Sequence, residues 1–233
     1  MNESNTPDLS RRRFLQTMSA AFLVSLIPAS PAFAGTTTSM QPGRSVYRLK
    51  GRAWVNGDPV NMDTVIKPND TVKTGSHSEL VFVVGDHAML LRSGAHLVIE
   101  PRESETVGSL LIGALRLFSG KLLSVSRNKG MNIHTPTATI GVRGTGVYLE
   151  AGPDKTYFCT CYGEVDVQAL NDPESKETVV SSHHDKPLYI YGNGPRGQLI
   201  QTPARLVVPN HDDEELIMAE ALVSRTPPFM NKV

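Results

Sequence analysis

The chain has 233 residues, which is enough for one sizeable core with a small appendage. Apolar residues make up 39% and charged residues 20%, a balance that excludes a disordered chain and a protein with many membrane spans. Basic and acidic side chains are equal at 23 each, so no net positive field attracts nucleic acid or an anionic bilayer. We therefore expect a soluble globular body that does not bind nucleic acid.

The first 34 residues have the layout of an export signal. An apolar stretch, 14–27, follows the paired arginines Arg11 and Arg12 and precedes the small-residue cleavage site Ala32 and Ala34. The stretch is shorter than the roughly 20 apolar residues that a spanning helix needs, so we expect cleavage after Ala34 and no transmembrane helix in the mature form. The alternative is that the apolar stretch is not cleaved and remains as a membrane anchor. The pattern predicts export to the periplasm by the twin-arginine pathway.

Residues 35–42 are small and polar and are predicted to form a linker, and an all-β domain is predicted over 43–170. Short apolar and β-branched runs recur there, separated by turn dipeptides such as Asn56-Gly57 and Ser93-Gly94. This spacing is typical of a sandwich or roll, and a β-solenoid would also show it, although no fixed repeat is visible. The predicted strands are 46–49, 52–56, 71–74, 79–84, 88–92, 96–100, 110–112, 114–118, 121–125, 131–134, 137–142, 146–150, 156–162 and 164–168.

The C-terminal extension, 171–233, ends with a different pattern. Asn210 is a candidate N-cap, acidic residues occupy the first turn after it, and apolar residues follow at helical spacing. These signals predict one helix over about 212–224. A helix of that length is marginal alone, so we expect its apolar face to be docked on the β body.

A glycine-rich segment near the middle of the chain resembles the signature of the FecR-type periplasmic domain. It comprises the lead Thr135-Pro136-Thr137-Ala138, then Gly141-Val142-Arg143-Gly144-Thr145 and an outgoing strand. Upstream segments agree, and the resemblance covers about half of the chain, from Gly43 to Val167. It implies an all-β periplasmic interaction domain of a kind that receives a signal from an outer-membrane receptor and controls a sigma factor. Only ten residues precede Arg11, so we do not expect a cytoplasmic sigma-binding segment here.

The signature can also be interpreted from its residues alone. Glycines at 141, 144 and 146 within a strand run indicate bulges or close approach of another chain. Arg143 would be costly to bury unpaired, and we favour a hydrogen-bonded clasp between strands over a ligand contact. No helix follows Gly146, so the run is not a phosphate cradle.

The two cysteines, Cys159 and Cys161, are separated by one residue in a predicted strand. An oxidising compartment favours a disulfide, but residues two apart on a regular strand point the same way with Cβ atoms too far apart for one. Two parallel thiols can instead bind a soft or borderline metal ion. His183, His184 and His211 are the candidate further ligands, so the sequence predicts a zinc or copper site. The alternative is two buried thiols acting as small hydrophobes, with histidines that cap loops.

Motifs for catalysis are missing from the sequence, which has no Gly-x-Ser-x-Gly elbow, no His-Glu-x-x-His pair and no P-loop. We therefore predict an exported, non-enzymatic binding or sensing module whose partner is a periplasmic or envelope protein. A periplasmic zinc- or copper-binding protein is the second hypothesis, and an enzyme is the third.

Overall fold

The computed structural model describes residues 40, 43–103, 111–127, 129–184, 186–192, 198–201 and 211–231. The described chain is mostly β-strand with one α-helix near its C-terminal end, which confirms the predicted fold class. The predicted export signal, with Arg11, Arg12, Ala32 and Ala34, and nearly all of the predicted linker lie outside the described residues. No helix among the described residues has the length and hydropathy of a membrane span.

Fifteen strands, one α-helix and one short 3-10 helix (Pro228–Asn231) are formed by the described residues. They are β1 (Val46–Lys50), β2 (Ala53–Val55), β3 (Asp58–Pro59), β4 (Thr71–Thr74), β5 (Glu79–Val84), β6 (His87–Leu91), β7 (His96–Pro101), β8 (Ile112–Val125), β9 (Lys129–His134), β10 (Ala138–Arg143), β11 (Gly146–Ala151), β12 (Lys155–Ala169), β13 (Asp172–Ser181), β14 (Pro187–Tyr191), β15 (Gln198–Gln201) and α1 (Asp213–Leu222). Strands β13 to β15 fall in the extension for which only the helix was predicted.

The strands form two sheets that share their longest members. Sheet A contains β1, β5, β6, β11, β14, β15 and the adjoining halves of β8 and β12. Sheet B contains β2, β3, β4, β7, β9, β10, β13 and the other halves of β8 and β12. The only parallel pair among the described strands is β8 with β9. Strands β8 and β12 therefore join the two sheets.

Glycine allows each of these long strands to pass from one sheet to the other. Gly120 in β8 has φ +90°, and a Cβ there would lie 2.4 Å from the Cα of Ala95. Gly163 in β12 has φ +94°, and a Cβ would lie 2.5 Å from Cγ2 of Thr145. No amino acid other than glycine fits a position that combines a left-handed backbone with so close a neighbour. The prediction of separate strands on either side of these glycines is wrong, because each glycine bends a continuous strand.

Two apolar layers flank sheet A, and the side chains of its strands alternate between them. In β5, Leu80, Phe82 and Val84 point into the layer between the sheets, which we call the inter-sheet core. Val81 and Val83 point to the opposite face, into a second layer. We call this second layer the helix layer; its buried members are Val81, Val83, Ala88, Leu90, Leu123, Val125, Tyr148, Tyr157, Cys159, Cys161, Tyr162, Leu216, Ala219 and Leu222.

Helix α1 covers the outer face of sheet A, which agrees with the prediction of a docked helix. Its buried apolar residues, Leu216, Ala219 and Leu222, are members of the helix layer. The helix is capped by Asp212, whose side chain accepts a hydrogen bond from the Glu215 backbone N–H at 2.9 Å. Asn210, the predicted cap, lies outside the described residues. Three acidic residues in the first turn suit the positive end of the helix dipole.

Candidate metal centre

Strand β12 places both cysteines under the helix. Cys159 and Cys161 lie on the same face of β12, and the pairing of β12 with β11 shifts at Cys161, which forms a bulge there. The thiols are 2% and 0% exposed and are not joined by a disulfide. Both belong to the helix layer. The sequence prediction of two thiols directed to the same side matches this arrangement.

His184 follows β13 and lies over the two thiols. Its backbone adopts a left-handed conformation, φ +52°, and its N–H donates to the Cys161 carbonyl oxygen at 2.9 Å. This turn aims the ring inward, with Nδ1 3.5 Å from the Sγ atom of Cys159. The left-handed turn therefore supplies a third candidate ligand from a separate part of the chain.

His211 supplies the fourth candidate ligand, immediately before α1. Its ring stacks on Tyr148 with ring centroids 4.1 Å apart and planes inclined by 15°. The stacking fixes the plane of the ring and places Nε2 3.1 Å from Nδ1 of His184. Capping of the helix by Asp212, the next residue, holds the backbone that carries this histidine.

The ligand atoms of Cys159, Cys161, His184 and His211 all lie within 4.8 Å of one another. A tetrahedral zinc ion with Zn–N near 2.05 Å and Zn–S near 2.3 Å requires N–N separations of about 3.3 Å and N–S separations of about 3.6 Å. The measured separations, 3.1 Å between the two histidines and 3.5 Å from Cys159 to His184, are close to these values. Two sulfur and two nitrogen donors in this arrangement fit a closed, four-coordinate metal site.

The electrostatics of the cluster favour the thiolate form of Cys159, which is the form that binds a metal ion. Hydrogen bonding from Cys161 lowers the pKa of the Cys159 thiol to about 4, and hydrogen bonds from His184 and His211 add to the effect against the opposing burial. Burial, followed by the hydrogen bond and charge of Cys159, raises the pKa of Cys161 well above its ordinary value. Burial opposes protonation of His184, but its hydrogen bond to Cys159 and the charges of Cys159 and Asp213 outweigh burial and raise its pKa. The two shifts have opposite directions, so the thiolate of Cys159 and the protonated ring of His184 favour each other.

His183, a predicted ligand, lies beside this group of four. Its Nε2 is 2.8 Å from Oδ1 of Asp213, and its ring stacks on Phe229 with centroids 4.5 Å apart. The same carboxylate oxygen is 3.3 Å from Nε2 of His184, the ring nitrogen directed away from Cys159. His183, His184 and Asp213 thus form a second, more exposed group that shares His184 with the first.

The residues of the glycine-rich signature lie in β10 and in the turns before and after it, and none of them is a candidate ligand of the metal centre. Thr135 and Pro136 form the turn between β9 and β10, where the Thr135 hydroxyl accepts the Ala138 N–H at 3.0 Å and the Thr156 hydroxyl at 2.9 Å. Thr135 is buried and Pro136 is exposed. These contacts tie the turn to β12, which is a structural role.

The second half of the signature forms the turn from β10 to β11. Gly144 has φ +84°, and Thr145 after it is buried, its carbonyl oxygen accepting the Ser126 N–H at 3.0 Å. Gly141 has an ordinary φ, and its nearest neighbour would be 3.6 Å from an added Cβ, so neither backbone nor space requires glycine there. Arg143 is exposed and pairs with Glu164, at 2.8 Å, and with Asp166, both on β12. This is a clasp between strands, although it lies on the surface.

No family model matches the chain, and no curated protein is similar to it. Among solved structures, two crystal structures of a candidate anti-sigma factor from Parabacteroides distasonis are similar to this chain, each with 14% identity and a TM-score of 0.44. Each match covers 57% of this chain and 59% of the other. A similarity at this level carries no argument about function, so the function is inferred from the site.

Two residues of the centre were missed by the sequence analysis. Asp213 was recognised only as an acidic residue of the first helical turn, and Tyr148 only as part of a strand. The sequence does carry a signal for Asp213, because it lies two positions after His211 at a predicted helix start. Tyr148 has no local signal, since its contact with His211 joins elements that are 63 positions apart (211 − 148).

Proposed function

We propose that this protein is an exported, non-enzymatic binding and sensing module that holds one zinc or copper ion between its sheet and its C-terminal helix. The observation that carries the proposal is the convergence of four ligand atoms, from three separate parts of the chain, within 4.8 Å. The alternative, in which the two buried thiols act as small hydrophobes, does not explain why two imidazole rings converge on them. A shared metal ion gives all four a role.

Zinc is the ion that the donor set fits best. Two thiolates and two imidazoles form a common structural zinc site, in which four protein ligands leave no open position for a substrate. Such an ion stabilises structure and performs no bond-making, which agrees with a non-enzymatic module. Copper(I) is the second choice because soft thiolate ligands also select it.

Location in the periplasm is supported by the sequence. The paired arginines Arg11 and Arg12, the apolar stretch after them and the Ala32 and Ala34 cleavage site have the order of a twin-arginine signal. The FecR-type signature supports a protein or envelope component as the partner. In fractionated cells, we expect the chain in the periplasm and an Arg11→Lys/Arg12→Lys variant in the cytoplasm; wild-type protein in the cytoplasm would contradict export.

Metal analysis of the purified chain tests the proposed centre. After incubation with zinc chloride and removal of excess ion, we expect about one zinc per chain, and none in the Cys159→Ser/Cys161→Ser variant. His134→Ala is the matched control, because His134 is a half-buried histidine outside the cluster, and it should retain the ion. His184→Gln is a second test that leaves both thiols in place. Metal-free wild-type protein, with the same melting temperature as the double variant, would overturn the proposal.

A further inference from the structure

We propose that metal binding and docking of α1 are one coupled equilibrium, so that loss of the ion releases the first two turns of the helix, residues 213–219, from sheet A. This inference rests on the proposed metal centre and assigns it a regulatory role. The bound ion closes the helix layer, and its removal opens that layer to solvent.

The four candidate ligands belong to both sides of the helix layer. Cys159 and Cys161 lie on β12 of sheet A, and His184 lies in the turn that hydrogen-bonds to Cys161. His211 lies on the other side, in the segment that leads into α1. An ion bound by all four therefore connects the start of the helix to the sheet directly.

Three successive residues at the start of α1 take part in the centre. His211 is a ligand, and Asp212 caps the helix by accepting the Glu215 N–H. Asp213 contacts Nε2 of His184, opposite the nitrogen that faces Cys159. A carboxylate in this position orients a metal-binding histidine, and its loss typically weakens metal binding 10- to 100-fold. Asp213 is thus a positioning residue, and the centre is complete only when the first turn of the helix is docked.

The helix depends on this attachment because it is short. Ten residues are too few for a stable isolated helix, so α1 exists through its contacts with the sheet. Its first two turns are held by Leu216 and Ala219 in the helix layer, by the Glu215 pair with Arg92 and by the centre itself. Its last turn is held by a different set of contacts, the buried Glu220 with Arg127 and Arg225, and Leu222 in the helix layer. We therefore expect metal loss to release residues 213–219 while the end near Glu220 stays docked.

Thermodynamic linkage makes the coupling reciprocal. If the helix is mostly undocked without the ion, then a substitution that weakens docking lowers the apparent affinity for the ion by up to the same factor. Leu216 allows this test, since it is fully buried under the helix and provides no ligand atom. A purely local metal site would not respond to its truncation.

Hydrogen exchange of the full chain tests the first half of the proposal. We expect backbone amides of 213–219 to exchange about tenfold faster when a chelator removes zinc, and amides of β5 and β6 to be unchanged. His211→Ala should exchange rapidly in 213–219 even with zinc present, and His134→Ala should behave as wild type. A chain that binds about one zinc but shows the same exchange with and without it would overturn the coupling and leave the metal centre intact. A chain that binds no zinc would instead overturn the proposed function.

Zinc affinity measured by competition with a chelating dye tests the second half. Leu216→Ala should bind zinc about tenfold more weakly than wild type, by reciprocity. Ile217→Ala is the matched control, because Ile217 is the adjacent half-buried residue, and it should bind normally. If Leu216→Ala fails to fold, Leu216→Val removes less volume and should show a smaller loss in the same direction. Unchanged affinity in a folded Leu216 variant would overturn the coupling.

Discussion

The inter-sheet core and the helix layer lie on opposite faces of sheet A and differ in what fills them. The core contains large aliphatic and aromatic side chains such as Phe82, Ile99 and Phe158. The helix layer combines nine smaller aliphatic side chains with three tyrosines and two thiols, and the buried carboxylate of Glu220 adjoins it. Burial of apolar surface stabilises the core under most conditions. Polar partners hold the helix layer, so its stability responds to protons and ions.

Glu220 illustrates the difference between the two layers. Its side chain is fully buried on α1, where it contacts the Tyr162 hydroxyl, lies 3.2 Å from Arg127 and is 2.8 Å from Arg225. Such a network contributes little net stability relative to apolar packing, because the charges lose their hydration. Removing one partner is costly, since it leaves the others buried and unpaired. The network therefore fixes the position of the helix, but only while all of its members are present.

The largest effect is expected in the inter-sheet core. Phe82→Ala should lower the free energy of unfolding by about 4 kcal/mol, because it removes a fully buried ring and leaves a cavity. Denaturant unfolding measures this loss, and it should be equal with zinc and with chelator. Phe118→Ala is the control, since Phe118 is 45% exposed. A loss that depends on zinc would contradict the separation of the two layers.

A smaller effect is expected in the helix layer. Glu220→Ala should lower the free energy of unfolding by about 3 kcal/mol, because it leaves two guanidinium groups and a buried tyrosine without their carboxylate. Glu214→Ala is the matched control on the exposed face of the same helix. The same denaturant measurement applies, with hydrogen exchange to localise the effect. Exchange that increases equally in α1 and in β5 would show that the layers do not separate.

The core could be predicted from the sequence more completely than the helix layer. Apolar alternation and turn dipeptides located most strands, because both signals are local. The continuous strands β8 and β12 were missed, since a glycine that bends a strand looks the same in sequence as one that ends it. The spacing of the two cysteines predicted that both thiols lie on one side of the strand, as they do. The approach of Tyr148, His184 and His211 depends on tertiary contacts that no local pattern encodes.

Stability should also depend on pH through a histidine of sheet A that is buried on the face of the inter-sheet core, opposite to the helix layer. His87 begins β6 and is fully buried beside Asp86, whose carbonyl oxygen accepts a hydrogen bond from Arg225 just after α1. Burial lowers the pKa of His87 to about 4, helped by the charges of Arg225 and Arg102 and opposed by Asp86. The unfolded chain has an ordinary histidine pKa near 6.5. Between these values the unfolded state binds a proton that the folded state does not.

Stability should therefore fall as the pH decreases through this range. The contribution of His87 is complete above about pH 6.5, and the loss between pH 7 and pH 5 should be about 2 kcal/mol. Denaturant unfolding of wild type and His87→Gln at both pH values, each with chelator, isolates this term, because the metal centre titrates equally in the two proteins. Whatever the difference in stability at pH 7, wild type should lose about 2 kcal/mol more than His87→Gln between pH 7 and pH 5. Equal losses in both proteins would mean that His87 is not the source of this pH dependence.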